Sequence, residues 1–208
     1  MLKTQLYNKL LNYDFKSLFE HKGYAYFDNG NYNLNIIGVR SENKNNVTNQ
    51  FDDFIVVIYN TPTKHGLQRV YPATTEPGLT VMKKPQNYKG TAILVPGQYR
   101  GMWRIDSHRG KYKALCQRTK PVLVYRDNNK DDKYDLLPEK IDKGIFGINL
   151  HKASSYITPT YVNNYSAGCQ VLQNVADFNT IMGLASKQVA NGFGNSFTYT
   201  LLTESELV

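Results

Sequence analysis

The chain has 208 residues, enough for one domain with a sizeable buried core. Its net charge of +8 and pI near 9.3 suit an anionic partner such as a polyanionic cell wall. The basic residues are scattered, with no run of five like charges and no nucleic-acid-binding signature, so nucleic acid is not the expected partner.

Sixteen tyrosines, together with many Asn, Thr and Gly, favour strands and turns over helices. Two cysteines without a Cys-x-x-Cys pair make no disulfide framework. Polar residues interrupt the N-terminal stretch MLKTQLYNKLLNYDFKSLFEHK throughout, so it has no apolar signal core, and no segment is long enough for a membrane span. A protein of this kind that acts at a cell wall needs another route of delivery.

In chain order, Leu2, Leu6, Leu10 and Leu11, then Phe15, Leu18 and Phe19, recur at helical spacing. They predict one or two amphipathic helices over residues 1–22, with Asp14 as the N-cap of the second. Gly23–Asn35 is turn-rich, and Asn35–Arg40 reads as a short strand. Ser41–Gln50 is a polar loop, and Phe54–Tyr59, FIVVIY, has the continuous apolar pattern of a buried strand. Further strands are expected at Val70–Thr75, within Thr91–Tyr99, on both sides of a Ser107–Gly110 turn, and at Pro121–Tyr125. Gly144–Leu150 reads as an apolar strand that ends at His151. Val175–Ala190 has helical spacing with Asp177 as a candidate cap, and Phe197–Leu202 reads as a strand. The whole is a mainly β single domain, 1–208, with helices near both ends.

The chemistry concentrates in Gly144–Leu172. His151 follows an apolar run, and Cys169 follows the small-residue turn Ser166-Ala167-Gly168. A histidine and a cysteine at strand edges are what cysteine acyl transfer requires: the thiolate is the nucleophile, and a nearby imidazolium lowers the thiol pKa. Small residues before Cys169 permit a tight turn and leave backbone N–H groups free to face an oxyanion. The roles that follow are Cys169 as nucleophile, His151 as base and then acid, the N–H groups of Gly168 and Cys169 as oxyanion donors, and Ser166 as support for the histidine or the turn. His108 is a competing base, and Tyr165 with the Tyr156–Tyr161 segment is a candidate border of the groove. The alternative is that Cys169 is a small buried apolar residue and the tyrosines are packing.

The order strand, His151, connection, Ser166-x-Gly168-Cys169 resembles the signature of L,D-transpeptidase catalytic domains of the YkuD type. Tyr71–Gly78 (YPATTEPG), GTAILVPGQY and FGINLH are similar to the strands and turns that lead to that family's site. The run Asn35–Leu202 also resembles domains of bacteriophages and their hosts. Ala167 departs from the family's usual histidine, and Gln170-Val171 departs from its usual apolar residue followed by Arg or Asn. The resemblance implies an L,D-transpeptidase-like β-sandwich that acts on peptidoglycan stem peptides through a thioacyl-enzyme and requires no cofactor. It also implies a phage virion protein, or one delivered to the wall or periplasm, with other virion proteins as further partners. The other implication is a non-catalytic structural or wall-binding protein that keeps the fold.

Two further constellations stand out. Asp127, Asn129, Asp131 and Asp135 match oxygen-ligand positions 1, 3, 5 and 9 of a calcium loop, with the Lys133 carbonyl at position 7. Asp132 replaces the usual glycine and Pro138 the usual glutamate, so a solvated hairpin tip is the alternative to a calcium site. Arg100, Arg104, Arg109, Lys111 and Lys113 surround Trp103 and Tyr112. With His108, Arg104 is a candidate for holding an anionic glycan or a stem-peptide carboxylate; a solvated sheet face is the alternative.

Overall fold

A computed structural model describes residues 1–42 and 46–207. Residues 43–45 of the expected Ser41–Gln50 loop lie outside the described residues. Two short helices, α1 (Lys3–Leu10) and α2 (Phe15–Lys22), open the chain. Eleven strands follow: β1 (Asn35–Arg40), β2 (Asp53–Tyr59), β3 (Leu67–Thr74), β4 (Thr91–Leu94), β5 (Gly97–His108), β6 (Tyr112–Gln117), β7 (Val122–Asp127), β8 (Ile141–Gly144), β9 (Leu150–Lys152), β10 (Gln170–Leu172) and β11 (Phe197–Thr203). Helix α3 (Leu79–Lys83) lies between β3 and β4, and α4 (Val175–Gln188) between β10 and β11.

The mainly β expectation holds. Eight strands close into a barrel in the order β1-β11-β5-β6-β9-β10-β3-β2, and β4-β7-β8 form a smaller sheet. Closure leaves the barrel strands no open edge. Its two parallel joints are β1 with β11 and β9 with β10. The β-branched run in β2 is buried through Ile58 and pairs with β1 and β3 on either side.

The core is tied together by polar atoms as well as by apolar area. Trp103 stacks on Tyr199 with ring centroids 4.4 Å apart, and its Nε1 donates to the Ile148 carbonyl at 2.7 Å. Tyr199 Oη donates to Gln170 Oε1 at 2.7 Å. Gly38 makes room for that hydroxyl: a Cβ there would lie 1.8 Å from Tyr199 Oη. Trp103 is therefore a core residue and not the centre of a basic surface cluster.

Helices α1 and α2 bury Leu6, Leu10, Phe15, Leu18 and Phe19 against Ile37, Val39, Phe54, Val56 and Ile58 of β1 and β2. Asp14 caps α2 as expected, accepting from Ser17 N at 3.0 Å. In α4 the cap is Asn174, which accepts from Ala176 N at 2.8 Å; Asp177 falls inside the first turn.

The expected strand Gly144–Leu150 does not form. Strand β8 ends at Gly144 and β9 begins at Leu150. Between them the Gln117 side-chain oxygen takes the N–H groups of Phe146 and Ile148, both at 3.0 Å, and Gly147 has φ +73°. Side-chain partners replace a ladder there, and an apolar pattern cannot reveal that. Replacing Tyr199 with Phe leaves Gln170 Oε1 without its donor and lowers stability by about 1–3 kcal/mol. Gly38→Ala destabilises further by forcing the Tyr199 ring to move. Urea denaturation measures both.

Candidate active site

The parallel β9–β10 register sets His151 opposite Val171. Cys169 lies in the turn just before β10 and packs on the same cluster as Val171. The turn that carries Cys169 is fixed by its own groups. Ser166 Oγ donates to the Cys169 carbonyl at 2.8 Å and accepts from Gly168 N at 3.2 Å, while Gly78 N donates to the Ser166 carbonyl at 3.0 Å. Gly168 has φ +113°, and a Cβ there would lie 2.2 Å from the Ala92 carbonyl oxygen of β4. Only glycine meets both conditions.

Cys169 opens into a groove of about 420 Å³ between the small sheet and the tip of the β5–β6 hairpin. Asn87, Arg109, Arg126 and Phe146 are among its lining residues, and no carboxylate lines it. Arg126 is engaged: it reaches Asp142 at 3.2 Å and the Gly90 carbonyl at 3.3 Å, and lies over the Phe146 ring. Arg109 is exposed at the hairpin tip, with no ion pair or hydrogen bond among the described residues.

His151 is buried, and its Nδ1–H donates to the Lys152 carbonyl at 2.8 Å, which leaves the Nε2 lone pair as the acceptor. Burial pulls its pKa down to about 3; the Lys152 carbonyl opposes this, and His108 and Arg109 add to it. His108 lies against it at a tilt, with ring centroids 4.4 Å apart. Asn149 fixes the tautomer of His108. Its Oδ1 accepts from Gln117 N at 2.8 Å, so its Nδ2 faces His108 Nδ1 at 3.0 Å as donor, and the His108 proton resides on Nε2.

The Cys169 thiol donates to the Gly147 carbonyl at 3.4 Å. Burial pushes its pKa up, opposed by the Asn149 N–H and the Arg109 charge. At neutral pH both members of the pair are uncharged. The expectation that an imidazolium lowers the thiol pKa is corrected: burial disfavours the charged form of each group. No hydrogen bond joins Sγ to His151 among the described residues.

The other expected site residues divide sharply. Ser166 holds the turn and does not contact His151. Gly168 is not an oxyanion donor, because its N–H is spent on Ser166 Oγ. The Cys169 N–H has no acceptor among the described residues. Half-buried Tyr165 packs, like Cys169, on the Phe51–Val162–Val171 cluster, whereas Tyr156 and Tyr161 are exposed. His108 is buried beside His151 and does not line the groove. Arg104 is exposed four residues before His108 on β5, roughly 13 Å along the strand, and also lies outside the groove. Asp127, Asn129, Asp131 and Asp135 lie at and beyond the end of β7. The sequence reading missed Asn149 and did not separate Arg109 from its basic neighbours; its place in the turn beside His108 was the available signal.

No family model, curated protein or solved structure matches this chain.

The folded pKa of His151 lies below its unfolded value near 6.5. The unfolded state therefore takes up the proton first, and this group's contribution to stability is present above about pH 6.5 and lost toward pH 3, by about 1.4 kcal/mol per pH unit. Ring-nitrogen NMR will find His151 neutral and protonated on Nδ1 from pH 8 down past pH 5. A midpoint near 6.5 refutes this. Alkylation of Cys169 will rise with a midpoint above the free-thiol value of about 8.5.

Proposed function

We propose that the chain is a cysteine acyl-transfer enzyme of L,D-transpeptidase type that acts on peptidoglycan stem peptides. The observation that supports this best is a cysteine opening into a carboxylate-free groove, one residue before the strand that pairs with the strand of His151, whose Nε2 lone pair is free. In this reading the barrel and the small sheet together are the counterpart of that family's sandwich.

Chemistry starts from the neutral pair. As Sγ attacks the substrate carbonyl carbon, the thiol proton leaves the Gly147 carbonyl and passes to His151 Nε2. The Cys169 N–H donates to the developing oxyanion. The tetrahedral intermediate collapses to a thioester, and the leaving amine takes the proton from His151. Water or a second amine then attacks the thioester, His151 again accepting the proton and returning it to Sγ. Arg109, free and beside the groove, binds a substrate carboxylate.

The raised thiol pKa and the thiol's bond to Gly147 favour a second reading, a non-catalytic wall-binding protein. Intact-mass spectrometry after incubation with wall-derived tetrapeptides separates the two. The wild type will gain the acyl mass and release product, and Cys169→Ala will do neither. Turnover that persists unchanged in Cys169→Ala, or a wild type that forms no adduct and no product, sinks the enzymatic reading. Arg109→Ala will raise KM about tenfold with little change in kcat, because it removes binding common to substrate and transition state.

A further inference from the structure

The end of β7 presents a problem that the proposed reaction does not address. Asp127 is 1% exposed. One oxygen, Oδ2, accepts from Asp135 N at 2.7 Å, and the other, Oδ1, has no partner. Buried carboxylate oxygens are ordinarily paired, and leaving one unpaired is costly. No cationic side chain forms an ion pair with Asp127 among the described residues. The neighbours carry the same sign instead. The bond from Asp135 N turns the carboxylate into the loop that it begins.

We propose that residues 127–135 bind a calcium ion. The spacing places side-chain oxygens at Asp127, Asn129, Asp131 and Asp135 and a backbone carbonyl at Lys133, the pattern of a hard-cation loop. The orphaned Asp127 Oδ1 is the oxygen that lacks a partner without a cation. Among the described residues no three acidic, histidine or cysteine side chains converge on one point. Here the Asn129 amide stands between two of the acids: Nδ2 donates to Asp131 Oδ2 at 3.0 Å and to Asp135 Oδ2 at 3.3 Å. A half-turn about the last torsion of Asn129 gives up the bond that Oδ1 accepts from Asp131 N at 3.2 Å and offers Oδ1 in place of Nδ2, turning a donor between carboxylates into a ligand beside them.

Tyr134, at position 8, anchors the loop from behind: it is buried, and its hydroxyl donates to the Pro77 carbonyl at 2.8 Å. Pro138 stands where a bidentate glutamate would add affinity, so the site belongs to the weak class, with Kd of about 0.1–1 mM.

The loop also bears on the groove. A Cβ on Gly90 would lie 2.1 Å from the Asp127 carbonyl oxygen, and Asn128 Nδ2 donates to the Tyr88 carbonyl at 3.2 Å. Gly90 lines the groove of Cys169. A bound cation therefore stiffens one wall of that groove.

The test uses the full chain, freed of metal with a chelator, then titrated with calcium chloride in a calorimeter and followed by thermal denaturation. The expected result is one site of about 0.1–1 mM and a melting temperature that rises with calcium. Asp131→Asn, at an exposed position, is expected to weaken binding tenfold or more without loss of fold, and Asp127→Asn to abolish it. Asp28→Asn, at a remote acid paired with Lys16, is expected to leave binding unchanged. The proposal is overturned if about 10 mM calcium gives neither heat nor a thermal shift, or if Asp131→Asn binds as the wild type does. Neither readout depends on acyl transfer.

Discussion

The close approach of Gly168 to the Ala92 carbonyl is the contact on which the site depends. It joins the turn before β10 to the first strand of the small sheet, and so brings the barrel and that sheet together at one point. The positive φ and the absent Cβ are both needed, because a side chain would push the turn off β4 and open the groove floor. Ser166 then closes the turn from inside, engaging the chain on both sides of Gly168. The position of Cys169 follows from these backbone contacts, and its own side chain contributes little to it.

Electrostatically the site excludes positive charge from its histidines and tolerates negative charge near its mouth. The His151 and His108 rings lie against each other at a tilt and are buried, with Arg109 adjacent in sequence to one of them. A proton on His151 at rest would meet burial and two unfavourable neighbours. In the proposed reaction, a proton that arrives as the sulfur attacks meets a different field, because negative charge develops alongside it. Asn149 links the two regions: its side chain fixes the His108 tautomer while its backbone N–H faces the thiol. In the proposed reaction, rigidity of this segment matters as much as the identity of the base.

Local rules made much of the molecule legible. The apolar β2 run, the Asp14 cap and the α4 spacing follow from side-chain pattern and backbone satisfaction over a few residues. His151 and Cys169 stood out because each is rare and their order is suggestive. What escaped depends on partners far away in the chain. The 145–149 segment is irregular because the Gln117 side chain takes two of its N–H groups, and Trp103 takes a carbonyl there. Arg109 becomes distinctive only when the β5–β6 hairpin brings its tip to the groove. The uncharged state of both groups was likewise hidden, because spacing does not reveal desolvation.

Strand β11 lies between β1 and β5, with β1 parallel to it. The barrel therefore cannot close around residues 35–172 alone. Until residues 197–203 have left the ribosome, β1 and β5 each present an unpaired edge, and Trp103 lacks the Tyr199 ring that covers it. The nascent chain carries two sticky borders until β11 emerges, a state open to pairing with another chain. Insertion of one strand ends that exposure, making assembly of this barrel an all-or-nothing event that waits for β11.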